Sequence, residues 1–310
     1  MTGTAAMGEP VIISIGGGKG GVGKSTVTAN IGALLVRNGY SVGFIDADLG
    51  GANLHLCLGL RRPGCGLQDF ISGKYRTLSE VAVPLQLPES WLISGASDIL
   101  ELANPNFAQK QRIIRNLNKM DADFILVDLG AGSDNHVTDF YAAFPYGIIV
   151  SDGLPTSIEN AYGFLKNGIL RGLTRLFTGN APVQSRIRHF TDSQTGCAYV
   201  TVGEMVEKIG REFPETLQPM RSWLQQRKTF LVLNMVKDAE DIKVGERFSA
   251  MVKKYLSISM FYIGYVVFSP EVRKSIKAGM PLVDLQDESR AKGCFDSITG
   301  NLVALTKGQF

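Results

Sequence analysis

Residues 11–26 read VIISIGGGKGGVGKST. The β-branched run VIISI has the composition of a buried strand, and the eleven residues after it hold six glycines and two lysines, Lys19 and Lys24. Glycines let the backbone curl until successive N–H groups converge on one point, and a helix N-terminus beyond them adds its dipole, so the stretch suits an anion. Val27, Ile31, Leu34 and Leu35 then fall on one face of a helix that Gly39 can close. Gly18 to Ser25, GKGGVGKS, satisfies GxxxxGK[ST] between a strand and a helix start. The prediction is a phosphate cradle formed by Gly18, Gly20, Gly21, Val22, Gly23, Lys24, Ser25 and Thr26. Lys24 is expected to reach the β- and γ-phosphates, and Ser25 to offer its hydroxyl to magnesium.

Outward from this loop the chain alternates apolar runs with helical patterns, which predicts an α/β fold: a mostly parallel sheet with helices on both faces. The strands are read at 11–15, 41–46, 123–128, 146–151, 230–235 and 261–267, with a short one at 91–94. Residues from about 178 to 228 break the rhythm. They read as a mainly helical insertion within a single domain covering 1–310, because strands resume at Phe230.

Composition narrows the function classes. With 45% hydrophobic and 20% charged residues the chain fits an ordinary globular protein, and a formal charge of +3 does not by itself call for a polyanion. No apolar run is long enough to span a bilayer, and MTGTAAMGEP has no signal-peptide core, so a cytoplasmic location is expected. Cys57, Cys65, Cys197 and Cys294 form no CxxC pair, which argues against a zinc site, a disulfide framework or an iron-sulfur cluster.

The sequence KGGVGKST resembles the deviant Walker A loop of the MinD/ParA ATPases, a branch of the P-loop NTPase fold. The resemblance implies that Lys19 is a signature lysine reaching the nucleotide of a second subunit, as an arginine finger would. It therefore implies ATP and Mg2+ as cofactors, and a homodimer formed with ATP bound. In FIDADLGGANLHLCLG, similar to the family's first switch, Asp48 is the expected orienter of the attacking water and Asp46 a support for the magnesium shell. FILVDLGAG delivers Asp128 to a strand end, where it would hold the metal opposite Ser25, with Gly130–Gly132 as a second switch. FLVLNMVKD places Asn234 where the family reads adenine. The third residue after it is Lys237 rather than the aspartate of NKxD, so ATP is favoured over GTP.

LPTSIENAYGFLK (154–166) and IGYVVFSPEVRKSIKAGMPLVD resemble the FlhG/FleN branch, regulators of flagellar number and placement. Asn160 replaces that branch's DAY aspartate, Phe268 replaces an aspartate near the adenine, and the DQAxxLR motif is missing. The expected function is an ATP-driven dimerisation switch in bacterial spatial organisation, peripheral at a membrane or pole, acting on a protein partner. Alternatives are a ParA-like segregation ATPase and a nucleotide-gated binding protein with little hydrolysis. For DNA the candidates are Arg247, Lys253, Lys254, Arg273, Lys274 and Lys277, though a charge run is usually a solvated helix face. For a membrane surface the candidate is the last helix, where Phe295, Ile298, Leu302 and Leu305 share a face. Too few basic residues flank that face for a surface-seeking helix, and packing onto the sheet is the expectation.

Overall fold

A computed structural model describes residues 9–95, 105–190, 201–286 and 288–308. The N-terminal half contains β1 (Val11–Gly16), α1 (Lys24–Arg37), β2 (Val42–Asp46), α2 (Leu54–Cys57), α3 (Leu67–Ile71), β3 (Val83–Pro84), β4 (Ser90–Ile93), α4 (Phe107–Leu117), β5 (Phe124–Asp128) and α5 (Asn135–Ala143). Then follow β6 (Tyr146–Ser151), α6 (Pro155–Leu176), α7 (Ala181–His189), α8 (Val202–Glu212), α9 (Pro214–Gln226) and β7 (Lys228–Val236). The chain closes with α10 (Ala239–Leu256), β8 (Ser259–Val267), α11 (Pro270–Ala278) and α12 (Arg290–Lys307).

The strands form one sheet in the order β3-β4-β2-β5-β1-β6-β7-β8. It is parallel except for the two-residue edge strand β3, which pairs antiparallel with β4 and carries too little pattern to be read from sequence. Alternate residues of each strand feed opposite cores, as a pleated strand requires. Ile13, Phe124, Leu126, Phe230 and Val232 face the layer of α1 and α12. Ile12, Ile125, Val127, Leu231 and Leu233 face the layer of α4, α5, α6 and α10. Both faces are covered, which is why the central strands read as continuous apolar runs.

Residues 181–226 supply α7, α8 and α9, whose Val183, Ile187, Met205, Ile209, Met220 and Leu224 join the second of these cores. Helix α12 packs against the sheet as expected: Phe295, Ile298 and Leu302 are fully buried, each contributing about 1.5–3 kcal/mol. Its apolar face is therefore committed to the core. Among the described residues no helix is long and apolar enough to cross a membrane.

Strand order decides where ligand chemistry can occur. The chain leaves β1 for β2 and returns to β5 between them, while β6 lies on the other side, so β1 borders the point where the winding reverses. Crevices at such points, at the carboxyl ends of the strands, are where open α/β sheets bind ligands.

Candidate nucleotide site

The loop between β1 and α1 rises from that crevice. Gly23, the residue before α1, sits at φ +88°, and its missing Cβ would lie 2.3 Å from Nδ2 of Asn234. Gly18, at φ +72°, packs so closely that a Cβ would meet the Asn160 carbonyl oxygen at 2.3 Å. Both positions exclude any side chain, by backbone conformation and by space. Helix α1 has no side-chain cap, so the N–H groups of its first turn remain available to an anion.

The register of the sheet brings the carboxylates beneath this loop. Asp128 of β5 pairs with Ile15 of β1 on one side and with Asp46 of β2 on the other. Thr28 Oγ1 lies 3.4 Å from Asp128 Oδ1, and the Ser25 hydroxyl is close enough to favour the charged carboxylate. Burial pushes the Asp128 carboxyl up to about 7 even though Ser25 and Lys24 favour its charge. Asp46 is pushed up to about 8, by burial and then by the neighbouring Asp128. Its Oδ2 accepts from Leu54 N at 3.0 Å and its Oδ1 from Asp48 N at 3.1 Å, so Asp46 ties down both ends of the 48–54 loop.

Lys24 begins α1 and is largely buried. Burial lowers its ammonium below the ordinary lysine value, against the opposing pull of Asp128 and Asp48. The Asp48 carboxylate lies over Gly130, where a Cβ would come within 3.2 Å of its Oδ1. The two expected switch segments therefore touch beside the cradle.

Beside them lies a cavity of about 890 Å3, whose described lining does not include Asp46 or Asp128. Gly20, Gly21, Gly23, Lys24, Ser25 and Thr26 form one wall, and Asp48 and Asn234 face it. Val22 is buried beneath the loop instead, its carbonyl accepting from Asn234 Nδ2 at 2.8 Å, and Gly18 binds Gly132 N through its carbonyl at 3.1 Å. Asn234 thus pins the loop with one amide hydrogen while also lining the cavity. The far end of the cavity is apolar, with Met235, Phe268, Val272 and Ile276, joined by Arg273 and Lys277 of α11. Arg273 and Lys277, candidate DNA contacts in the sequence, are part of this lining.

Lys19 is absent from the lining. Its ammonium lies 3.6 Å from Oδ2 of Asp152, the residue after β6. Asp152 was missed in the sequence, where the available signal was an acid one residue beyond a strand that borders β1. Met235, held at φ +60°, was missed as a cavity wall; its only sequence signal was its place directly after Asn234.

A nucleotide with magnesium fits this donor set. Uncapped N–H groups and Lys24 suit phosphates, and two adjacent buried carboxylates suit a divalent cation. Among the described residues no three Asp, Glu, His or Cys side chains converge as an all-protein cage. Magnesium needs none when one or two carboxylates and phosphate oxygens complete its shell.

The chain is similar to known proteins in sequence and in fold. A putative septum site-determining protein MinD from Oltmannsiellopsis viridis is 34% identical over 155 residues, 50% of this chain and 49% of that protein. The flagellum site-determining protein YlxH of Helicobacter pylori is 34% identical over 161 residues, 51% of this chain and 54% of that protein. The chain spans about half the length of the curated relatives it matches. In fold it is similar to the septum site-determining protein MinD of Pyrococcus horikoshii, solved with Mg-ADP. The TM-score is 0.64 at 20% identity, covering 95% of this chain and 96% of that one. The family model for the CobQ/CobB/MinD/ParA nucleotide binding domain matches residues 13–282, from β1 through the turn after α11, and the chain belongs to that family.

Proposed function

We propose that this chain is a magnesium-dependent ATPase that dimerises with ATP bound and acts as a switch in positioning a cellular structure. One observation carries the reading: of the two lysines in this loop, Lys24 lines the cavity and Lys19 does not, its ammonium lying instead beside Asp152. This supports a role for Lys19 at a neighbouring chain's nucleotide. The pair with Asp152 does not oppose this, since a partly exposed ion pair is worth about 0–1 kcal/mol. The site-determining roles in the names of the relatives support spatial organisation, with a protein partner and a cytoplasmic location peripheral to a membrane or pole.

The loop N–H groups and Lys24 would bind the phosphates. Ser25 and Asp128 would hold magnesium, which when bound offsets phosphate charge, while Asp46 fixes the loop carrying Asp48. Asp48 would orient the attacking water, and Gly130, against its carboxylate, would register the γ-phosphate. Asp48 is the only acid among the described residues lining the cavity, and it stands at the phosphate end. Among the described residues the base end therefore offers no carboxylate to the N1–H and amino group of guanine, which supports ATP over GTP.

Lys19→Ala is the test. With a slowly hydrolysed ATP analogue, light scattering should show wild type doubling in mass and the variant remaining a monomer, with nucleotide affinity changed less than about twofold. A variant that still dimerises and turns over ATP at the wild-type rate would overturn the trans role.

A further inference from the structure

Away from the nucleotide site, at the other end of α5, a second cavity of about 350 Å3 opens between α4, α6 and α9. Phe107 and Leu176 stand at its rim, 53% and 42% exposed. Its inner wall is the ring of Trp223, packed against the bare backbone of Gly172, where a Cβ would lie 2.0 Å from the ring.

Its lining carries one charged residue among those described, Arg175, and two stretches of the flanking helices are basic. Residues 105–120 contain four Lys or Arg and residues 160–190 contain five, with no Asp or Glu in either stretch. Three of these cations, Lys110, Arg171 and Arg175, converge on the single carboxylate of Asp139. Arg227, behind Trp223, is buried and binds only the carbonyls of Tyr141 and Ala142 among the described residues. Two buried donor atoms, Gln111 Nε2 and Arg227 Nε, have no partner among the described residues. Arg175 lines the cavity beside the exposed Phe107 ring, 5.3 Å from its centroid.

We propose that this cleft is a docking pocket for a short acidic segment of a partner protein. A bulky apolar side chain enters between Phe107, Leu176 and Trp223, and an adjacent Asp or Glu pairs with Arg175. Charge complementarity selects an acidic occupant, and the volume suits one or two side chains rather than a folded surface. The lining holds one cation among the described residues, Arg175, whereas a phosphate backbone calls for a row of them, which decides against a polyanion such as DNA.

The test uses a displayed library of random heptapeptides, panned without nucleotide so that its outcome is independent of the ATPase reading. Peptides pairing Asp or Glu with Leu, Phe or Trp should be enriched, and labelled copies should bind in anisotropy titrations. Phe107→Glu and Leu176→Glu, both at exposed positions, should weaken binding about tenfold or more while leaving circular dichroism and thermal unfolding unchanged. Arg175→Gln should remove the preference for acidic over amide-matched peptides. Enrichment that survives the two glutamate variants, or that shows no acidic preference, would overturn the proposal. So would a short DNA duplex that displaces the peptides with the steep salt dependence of phosphate contacts.

Discussion

Asp48 and Asn234 show how much one side chain can control when the backbone around it is fixed. Asp48 is held from behind by its own N–H on Asp46 and lies against Gly130, so its carboxylate is set before nucleotide arrives. Asp48→Ala should bind ATP normally yet hydrolyse it roughly a hundredfold or more slowly, measured as phosphate release in single-turnover conditions. An unchanged rate would identify a gate with little catalysis. Asn234 pins Val22 and lines the cavity, where the proposed function gives it the base. Asn234→Ala should cost about 1–3 kcal/mol in unfolding without nucleotide, because the Val22 carbonyl loses its partner, as well as weakening ATP binding. If only ATP binding falls, the amide serves the base alone.

At the scale of elements, α4, α5 and α6 are joined by a buried charge cluster. Asp139 of α5 is fully buried and takes Lys110 from α4 and Arg171 and Arg175 from α6. Burial alone would raise its carboxyl, but hydrogen bonds from Arg171 and Lys110 outweigh that and hold it below the usual aspartate value. A depressed native value stabilises the fold fully above the unfolded pKa of about 3.9, and that contribution disappears as pH falls through the native value. Asp139→Ala leaves Lys110 buried among like charges and should cost about 3–5 kcal/mol. Urea midpoints across pH 2–6 would check both points: the difference between wild type and variant should shrink as pH falls. A constant difference would mean the cluster is not ionised as described.

For the whole molecule, the expected unit of activity is two chains. If Lys19 serves a neighbour, turnover per chain should fall on dilution and recover when inactive Asp48→Ala chains, which still carry Lys19, are added. Activity unchanged from micromolar to low nanomolar protein would show that each chain completes its own site. The same reasoning explains why α12 is not offered as a membrane anchor. Its Phe295, Ile298 and Leu302 lie under the sheet, and exposing them would forfeit the burial that closes the core over α1.

The cradle was legible in sequence because its chemistry is local: glycine conformations, a strand before and a helix after are all encoded within residues 11–26. The central strands were legible because burial on both faces leaves uninterrupted apolar runs, whereas β3, two residues held by an edge pairing, has no pattern of its own. What tertiary structure alone decided were meetings between residues far apart in the chain. Asp46 and Asp128 adjoin through sheet register, and Lys19 finds Asp152 because β6 borders β1. Asn234 reaches the Val22 carbonyl, and the basic helices converge on Asp139 around a cleft. Strand order sets those distances, and strand order follows from how all the apolar faces are buried together rather than from any one stretch of sequence.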